Sequence, residues 1–302
     1  MDPSLAAWLN KVWAQAASTA TEDLAGMIYS IYEDTGDEDE VKRKFTSMSS
    51  FKNFEMSGTA PRDIGAYESP SDPLMLGGDN TGAGYLYVKS KSFVEGGSTH
   101  RIVIHATPYN RLIGIMRLVC RDIVKPEWLF PDVNGAKVMT PDCFLSGRND
   151  TLIIYARSRD GAMAAARHVM ALIREGEIRP DSFVGKLPMT IHQLCPGVGY
   201  ACEPPSRSIL KSYTKPLSYG RFLSHIISIA VELAKEAGSS RVGDAPTFLT
   251  VASKVLGYAG INASTPYEFG TMHVAFSGSI PWPIASGPAP LKLAPWTDMR
   301  WN

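Results

Sequence analysis

The chain has 302 residues, of which 44% are apolar and 20% charged, the composition of an ordinary soluble globular protein. Lys plus Arg and Asp plus Glu both number 30, so zero net charge excludes a global field that attracts nucleic acid or an anionic membrane. The four cysteines form no CxxC and no zinc-type cluster, and no apolar run reaches the ~18 residues of a membrane span. We therefore expect a cytoplasmic protein with reduced thiols and without metal or cofactor, which binds neither nucleic acid nor membrane.

The first 83 residues divide into an apolar helical part and a polar irregular part. Apolar residues recur at helical spacing in two runs, and they predict an N-terminal helical pair over residues 1–40. Residues 41–83 are rich in Ser, Gly, Pro and Asp and keep no period, so we expect an irregular segment there.

Residues 84–260 alternate strand-like and helix-like patterns and form the predicted main domain. Strands are expected over 84–94, 100–106 and 151–157, and helices over 108–124, 160–176, 217–237 and 246–258. Residues 186–205, punctuated by Pro and Gly, are predicted to be a loop. This order predicts an α+β fold with a mostly antiparallel sheet and helices packed on one face. A Pro- and Trp-rich tail, 261–302, is either disordered or an extended arm.

Two lysines lie among aromatic residues in the stretch YLYVKSKSF, 85–93. We predict that this strand and the next one form an antiparallel hairpin around a Gly-Gly-Ser turn. In that register Lys89 lies opposite His105, and Phe93 lies opposite Arg101. Lys91 shares their face, so several cations would line one surface.

Such a row of cations has two interpretations. The lysines can extend over tyrosine rings on a solvated face, or they can line a phosphate site. Crowded cations lower the pKa of a lysine and make it a base, while a histidinium or ammonium can protonate a leaving group. With arginines that hold phosphate, these groups suit β-elimination, in which a base removes the Cα proton and phosphate leaves.

Three segments resemble the HopA-type effector domain family. RIVIHATPYNRLIGIMRLV resembles its second strand and the following helix, and SGRNDTLIIYARS resembles its R-x-D…Y strand. LPMTIHQLCPGVGYACEPP, followed by LSYGRFLSHIISIA, resembles its C-terminal motifs. The similarity extends over residues 84–235 in the same order along the chain.

The resemblance implies a function. The family includes type III secreted effectors and the lyase component of class V lanthipeptide and thioamitide biosynthesis, which is similar in role to phosphothreonine lyases. There, a kinase-like protein phosphorylates Ser or Thr of a precursor peptide, and the lyase eliminates phosphate to leave dehydroalanine or dehydrobutyrine. For this chain it implies a phosphorylated precursor peptide as substrate and a kinase-like phosphotransferase subunit as partner, in a heteromeric complex.

The resemblance also implies site residues by position. Arg101 matches the arginine that opens the family's second strand, and Arg148, Asp150 and Tyr155 match the R-x-D…Y strand. Ser218 to Arg221 resembles the family's S-F-G-x-x-R motif, with the arginine displaced by two positions.

We therefore predict a phospho-Ser/Thr lyase. Phosphothreonine lyases carry Lys-x-His on a core strand, and Lys89-Ser90-Lys91 is comparable here, with Lys89 as base or enolate stabiliser and Lys91 or His105 as acid. The predicted phosphate ligands are Arg101, Arg148, Arg157 and Arg221, supported by Asp150, Tyr155 and Tyr87. Two alternatives stay open: a secreted effector acting on host phosphoproteins, and a non-catalytic phosphopeptide-binding or scaffold subunit of a kinase complex.

Overall fold

The computed structural model describes most of the predicted main domain. The described residues are 1–18, 24–33, 67–69, 72–73, 85–139, 149–183, 187–188, 190–203, 219–239 and 241–268. They contain six α-helices: α1 (Pro3–Ala16), α2 (Leu24–Glu33), α3 (Tyr109–Val119), α4 (Arg159–Arg174), α5 (Tyr219–Glu236) and α6 (Ala245–Tyr258). They also contain eight strands: β1 (Tyr67–Ser69), β2 (Asp72–Pro73), β3 (Tyr85–Lys89), β4 (His100–Ile104), β5 (Val133–Met139), β6 (Leu152–Ala156), β7 (His192–Cys195) and β8 (Val198–Cys202). The predicted tail beyond residue 268 lies outside the described ranges, as does the predicted irregular segment apart from β1 and β2.

A six-stranded antiparallel sheet forms the centre of the fold. Its strands follow the order β3-β5-β6-β4-β8-β7, and every neighbouring pair is antiparallel. Helix α4 packs on β4, β5, β6 and β8, and α3 packs on β5. The predicted α+β class, with a mostly antiparallel sheet and helices on one face, is confirmed.

Local sequence signals set the two helices that cover the sheet. Helix α3 starts directly after Pro108 and carries a buried apolar stripe, which continues through a π-helical turn at Cys120–Val124. Helix α4 begins where the Ser158 hydroxyl accepts a hydrogen bond from the Gly161 amide, 3.0 Å away, and it ends before Gly176, whose φ is +80°. Within the described helices, no segment combines the length and the apolar character needed to cross a bilayer.

The predicted hairpin between β3 and β4 is wrong. Strand β3 pairs with β5, so that Lys89 lies opposite Gly135. Strand β4 pairs with β6 and β8 instead. Because β5 and β6 lie between them, β3 and β4 are about 14 Å apart across the sheet. The expected facing pairs, Lys89 with His105 and Phe93 with Arg101, therefore do not form.

A buried asparagine from β5 explains why the chain leaves β3 without forming a hairpin. The Asn134 side-chain oxygen accepts a hydrogen bond from the Val94 amide at 2.7 Å. Its side-chain amide donates to the Val94 carbonyl and to the Ser98 hydroxyl, both at 2.9 Å. These contacts occupy the backbone that a longer β3 would have offered to β4, and they hold residues 90–99 as a turn that crosses to the middle of the sheet.

Two parts of the sheet were not predicted as strands. All seven residues of β5 are buried, so its backbone groups must be paired on both edges, and β3 and β6 provide the partners. The predicted loop over 186–205 is wrong, because β7 and β8 form a hairpin there. Pro196 and Gly197, two of the residues that indicated a loop, form its tight turn, in which Gly197 has a φ of +70°.

The remaining helices belong to a second compact unit. One unit comprises residues 1–32 and 204–302, and the other comprises residues 33–203. In the helical unit, the Trp13 ring stacks on Phe248 with centroids 4.8 Å apart, and the Trp13 indole donates to the Arg241 carbonyl at 3.0 Å. Helices α5 and α6, which the sequence analysis placed in one domain with the sheet, thus share a unit with α1 and α2.

Candidate functional site

The sheet has an apolar face, which the helices cover, and a polar face. The register places Tyr87 beside Lys137 and Tyr155 beside Arg101. Because directly opposed residues project to the same side, these ladders collect polar side chains on one surface. We call this surface the polar face; its members are Tyr85, Tyr87, Lys89, Arg101, His105, Lys137, Tyr155 and Glu203.

Lys137 lies near the centre of the polar face and is the cation that sequence reasoning missed. It is 7% exposed. Its ammonium lies 4.0 Å from the ring centroid of Tyr85, 5.5 Å from that of Tyr87 and 5.7 Å from that of Tyr155. Aromatic faces attract a cation, most strongly where water is excluded, so the three rings stabilise the charged ammonium at this position.

Arg101 provides a second buried cation on the same face. Its Nη1 lies 3.2 Å from Oε1 of Glu203, and the two side chains are 6% and 10% exposed. Glu203 directly follows β8, and its amide donates to the Thr99 carbonyl at 2.8 Å, which extends the ladder between β4 and β8. The backbone register therefore fixes the position of this ion pair.

Tyr155 connects the two cations. It lies opposite Arg101 in the ladder, and its ring is within reach of the Lys137 ammonium. Burial raises the pKa of Tyr155 well above its ordinary value of 10, and the Glu203 carboxylate raises it further, while Arg101 acts in the opposite direction. The phenol therefore stays protonated and can donate a hydrogen bond to an anion.

Three predicted site residues lie around this phenol, which is itself a fourth. Tyr87 and Asp150 both influence the charge state of the Tyr155 hydroxyl, as Arg101 does. The Tyr85 hydroxyl also donates to the Asp150 carbonyl at 3.5 Å. The structure thus brings together Arg101, Tyr155, Tyr87 and Asp150, three of which were identified by the family motifs.

The two lysines of the opening strand lie at the side of this cluster. Lys89 is half-buried at the end of β3, and its ammonium lies 4.2 Å above the ring of Phe93. Lys89 is aligned with Arg101 across the sheet, but strands β5 and β6 lie between the two residues. Lys91 follows the strand and is exposed. His105 is fully buried just beyond β4, where its backbone amide donates to the Gly197 carbonyl at 2.8 Å.

The other predicted phosphate ligands make different contacts in the described part of the chain. Arg157 donates to the Pro131 carbonyl, and its guanidinium lies 3.9 Å from the Asp132 carboxylate. Arg221 belongs to α5 in the helical unit, where its guanidinium lies 5.5 Å from the Tyr29 ring centroid. Arg148 lies outside the described residues.

A smaller polar cluster lies on the opposite face of the sheet. The His100 Nδ1 is 2.8 Å from the Tyr200 hydroxyl and 3.6 Å from the Cys202 sulfur. Burial, and then the Arg159 guanidinium, lower the pKa of His100 from its ordinary value. Across the described residues, no three His, Cys, Asp or Glu side chains are grouped so that they could hold a metal ion.

The comparisons with known proteins identify relatives of this chain. Residues 79–268 match the HopA1 effector protein family. The effector protein from Pseudomonas syringae pv. syringae strain 61 superposes with a TM-score of 0.59 at 16% identity, over 89% of this chain and 96% of that one. The effector protein from Pseudomonas syringae pv. tomato strain DC3000 superposes with a TM-score of 0.52 at 16% identity, over 89% of this chain and 99% of that one. No curated protein matches the chain.

Proposed function

The chain belongs to the HopA1 effector protein family, and we propose that it is a phospho-Ser/Thr lyase that acts on a phosphorylated precursor peptide. The observation that carries the proposal is the pair of buried cations, Lys137 and Arg101, on either side of the Tyr155 phenol. Cations and a neutral donor at one buried surface are the groups that bind a phosphate dianion and stabilise the negative charge formed when it leaves.

The proposed reaction is a β-elimination. A base takes the Cα proton of the phosphorylated residue, and the electron pair of that C–H bond forms the Cα=Cβ double bond. The Cβ–O bond breaks at the same time, and phosphate leaves with its electron pair and takes a proton from an acid. The products are phosphate and dehydroalanine or dehydrobutyrine.

Three roles, those of Arg101, Tyr155 and Lys137, follow from positions in the structure, and the others are kept from the sequence. Arg101 binds the phosphoryl group, and Tyr155 donates to one of its oxygens. The Lys137 ammonium stabilises the enolate-like charge that develops when the Cα proton leaves. Lys89 remains the proposed base and Lys91 or His105 the proposed acid, while Arg148, Arg157 and Arg221 remain proposed phosphate ligands.

The partners proposed with this reaction are the phosphorylated peptide and a kinase-like subunit that supplies it. A second candidate function is supported by the two solved structures, both of which are described as effector proteins. In that case the same elimination would act on host phosphoproteins. A third, non-catalytic role would use the cations only to bind a phosphopeptide.

The test is incubation of the full chain with phosphoserine and phosphothreonine peptides, with and without the kinase-like partner. Elimination appears in the mass spectrum as the loss of one phosphoric acid. Lys137→Met should lower the rate by about 100-fold or more if the ammonium stabilises developing charge. Lys89→Ala and Lys91→Ala test the proposed base and acid. Lys254→Ala, at an exposed position of α6, is the matched control and should change nothing.

The outcomes separate the candidates. Peptide binding without mass loss, under all conditions, would leave the non-catalytic role and overturn the lyase proposal. Elimination from phosphoproteins but from no peptide precursor would favour the effector role. Unchanged elimination by all three lysine variants would overturn the assignment of the site.

A further inference from the structure

A buried carboxylate lies beside Arg101 on the polar face. Glu203 lies 3.2 Å from the Arg101 guanidinium, and its side chain is 10% exposed. Within the part of the chain that the structure describes, its Oε1 accepts no hydrogen bond. Attraction between the charges, rather than a directed hydrogen bond, therefore holds that oxygen beside Arg101.

A pair of this kind is poorly explained by stability alone. Removing two charges from water costs free energy that a buried ion pair recovers only with good geometry and further hydrogen bonds. An apolar pair of similar volume often serves stability as well or better. The guanidinium, by contrast, presents a planar set of donors that fits the oxygens of phosphate as well as those of carboxylate.

We propose that the Glu203 carboxylate occupies the phosphoryl subsite of the polar face and is displaced by the phosphate monoester of a bound peptide. The inference rests on the proposed function for the identity of the anion. A phosphate dianion carries more charge and more acceptor oxygens than a carboxylate, so it gains more from the same cations. The Glu203 side chain has three rotatable torsions, so its displaced carboxylate can turn toward water.

The neighbouring groups favour this exchange. The Tyr155 phenol, which the carboxylate helps to keep protonated, offers a hydrogen bond that a phosphate oxygen can accept. The Lys137 ammonium lies next to the same ring and adds to the positive potential. Until the substrate binds, Glu203 holds the position beside the Arg101 guanidinium that a phosphate oxygen would take.

The test is Glu203→Gln, which keeps the shape of the side chain and removes its charge. The variant removes the Glu203 carboxylate from beside Arg101, so the full chain should unfold at a lower temperature in chloride buffer. Inorganic phosphate should restore the midpoint in a concentration-dependent way, because a ligand stabilises the state that it binds. We expect phosphate affinity to rise by about tenfold or more over the native chain, the effect of one buried like charge removed.

Matched variants locate the effect. Glu177→Gln removes a carboxylate from Arg121, whose side chain is 58% exposed, and should leave the phosphate response unchanged. Adding Arg101→Gln to Glu203→Gln should abolish the gained response. Glu203→Asp, which keeps the charge on a shorter side chain, should bind phosphate with intermediate affinity. Chloride at equal ionic strength controls for screening.

Three results would overturn the inference. The first is an equal phosphate affinity in the native chain and in Glu203→Gln. The second is a phosphate-dependent rise of the unfolding midpoint that persists when Arg101 is also replaced. The third is an unfolding midpoint of Glu203→Gln that phosphate does not raise. None of them depends on elimination. If Glu203→Gln gains phosphate affinity and no phosphopeptide ever loses phosphate, the proposed function fails and the inference stands. If elimination occurs without that gain, the inference alone fails.

Discussion

Replacing Asn134 should weaken the turn that carries the chain from β3 to β4. Asn134 is 2% exposed, and its side chain makes three hydrogen bonds, two with the backbone of Val94 and one with Ser98. At about 1 kcal/mol of net stability for each bond, Asn134→Ala loses about 3 kcal/mol. Val94 is 45% exposed, so water partly replaces its bonds, and we expect the free energy of unfolding to fall by about 2 kcal/mol.

Urea unfolding followed by circular dichroism measures this loss. With a slope of about 2 kcal/mol per molar urea, the midpoint should fall by about 1 M. Hydrogen exchange adds a local readout, because the Val94 amide should lose its protection in Asn134→Ala. Ser98→Ala should cost about 1 kcal/mol in the native chain and almost nothing in the Asn134→Ala background. A midpoint shift under about 0.2 M, with unchanged exchange in residues 90–99, would refute this explanation of the turn.

Two further predictions concern pH and glycine. Burial, then Arg159, lower the pKa of His100 below its ordinary value of 6.5, so the unfolded chain takes up this proton more readily than the folded chain. The free energy of unfolding should therefore fall as pH drops through that value toward the folded-state pKa. In His100→Gln the urea midpoint should depend less on pH between about pH 7 and about pH 5. Parallel pH profiles of the two chains would contradict this. A Cβ at Gly135, where φ is +155°, would collide with a carbonyl oxygen of β3, and Gly135→Ala should cost about 2 kcal/mol or more. At Gly257 in α6 nothing lies within 4 Å of the added Cβ, so Gly257→Ala should gain about 0.5–1 kcal/mol in the same urea titration, and equal effects of the two alanines would count against the explanation.

The helices could be predicted because their signals are local. Apolar spacing of three and four residues, Pro108 at the start of α3 and Gly176 after α4 all lie within or next to the elements that they define. The pairing of strands has no such local signal. The side chain that directs the chain away from a hairpin after β3 is Asn134, which is distant in sequence from the turn that it holds.

The part of the candidate site that sequence could indicate consists of single residues that resemble the family motifs. Arg101, Asp150 and Tyr155 were found in this way, and they lie together. Lys137 was missed because a strand that is buried on both faces shows no alternation, so β5 gave no period-two pattern. Glu203 was missed because β8 was interpreted as a loop, and its partnership with Arg101 exists only through the ladder between β4 and β8.

The position of β4 within the sheet has a consequence for the synthesis of the chain. Ile102 pairs with Ile154 on one side and with Tyr200 on the other, so the second edge of β4 is closed by a segment that leaves the ribosome much later. Until then, that edge exposes unpaired backbone groups that can bind another extended chain. Contacts across about 100 residues also raise the contact order and slow folding. Between the emergence of β6 and that of β8, the newly made chain therefore presents one open edge of β4, a surface that a chaperone can cover.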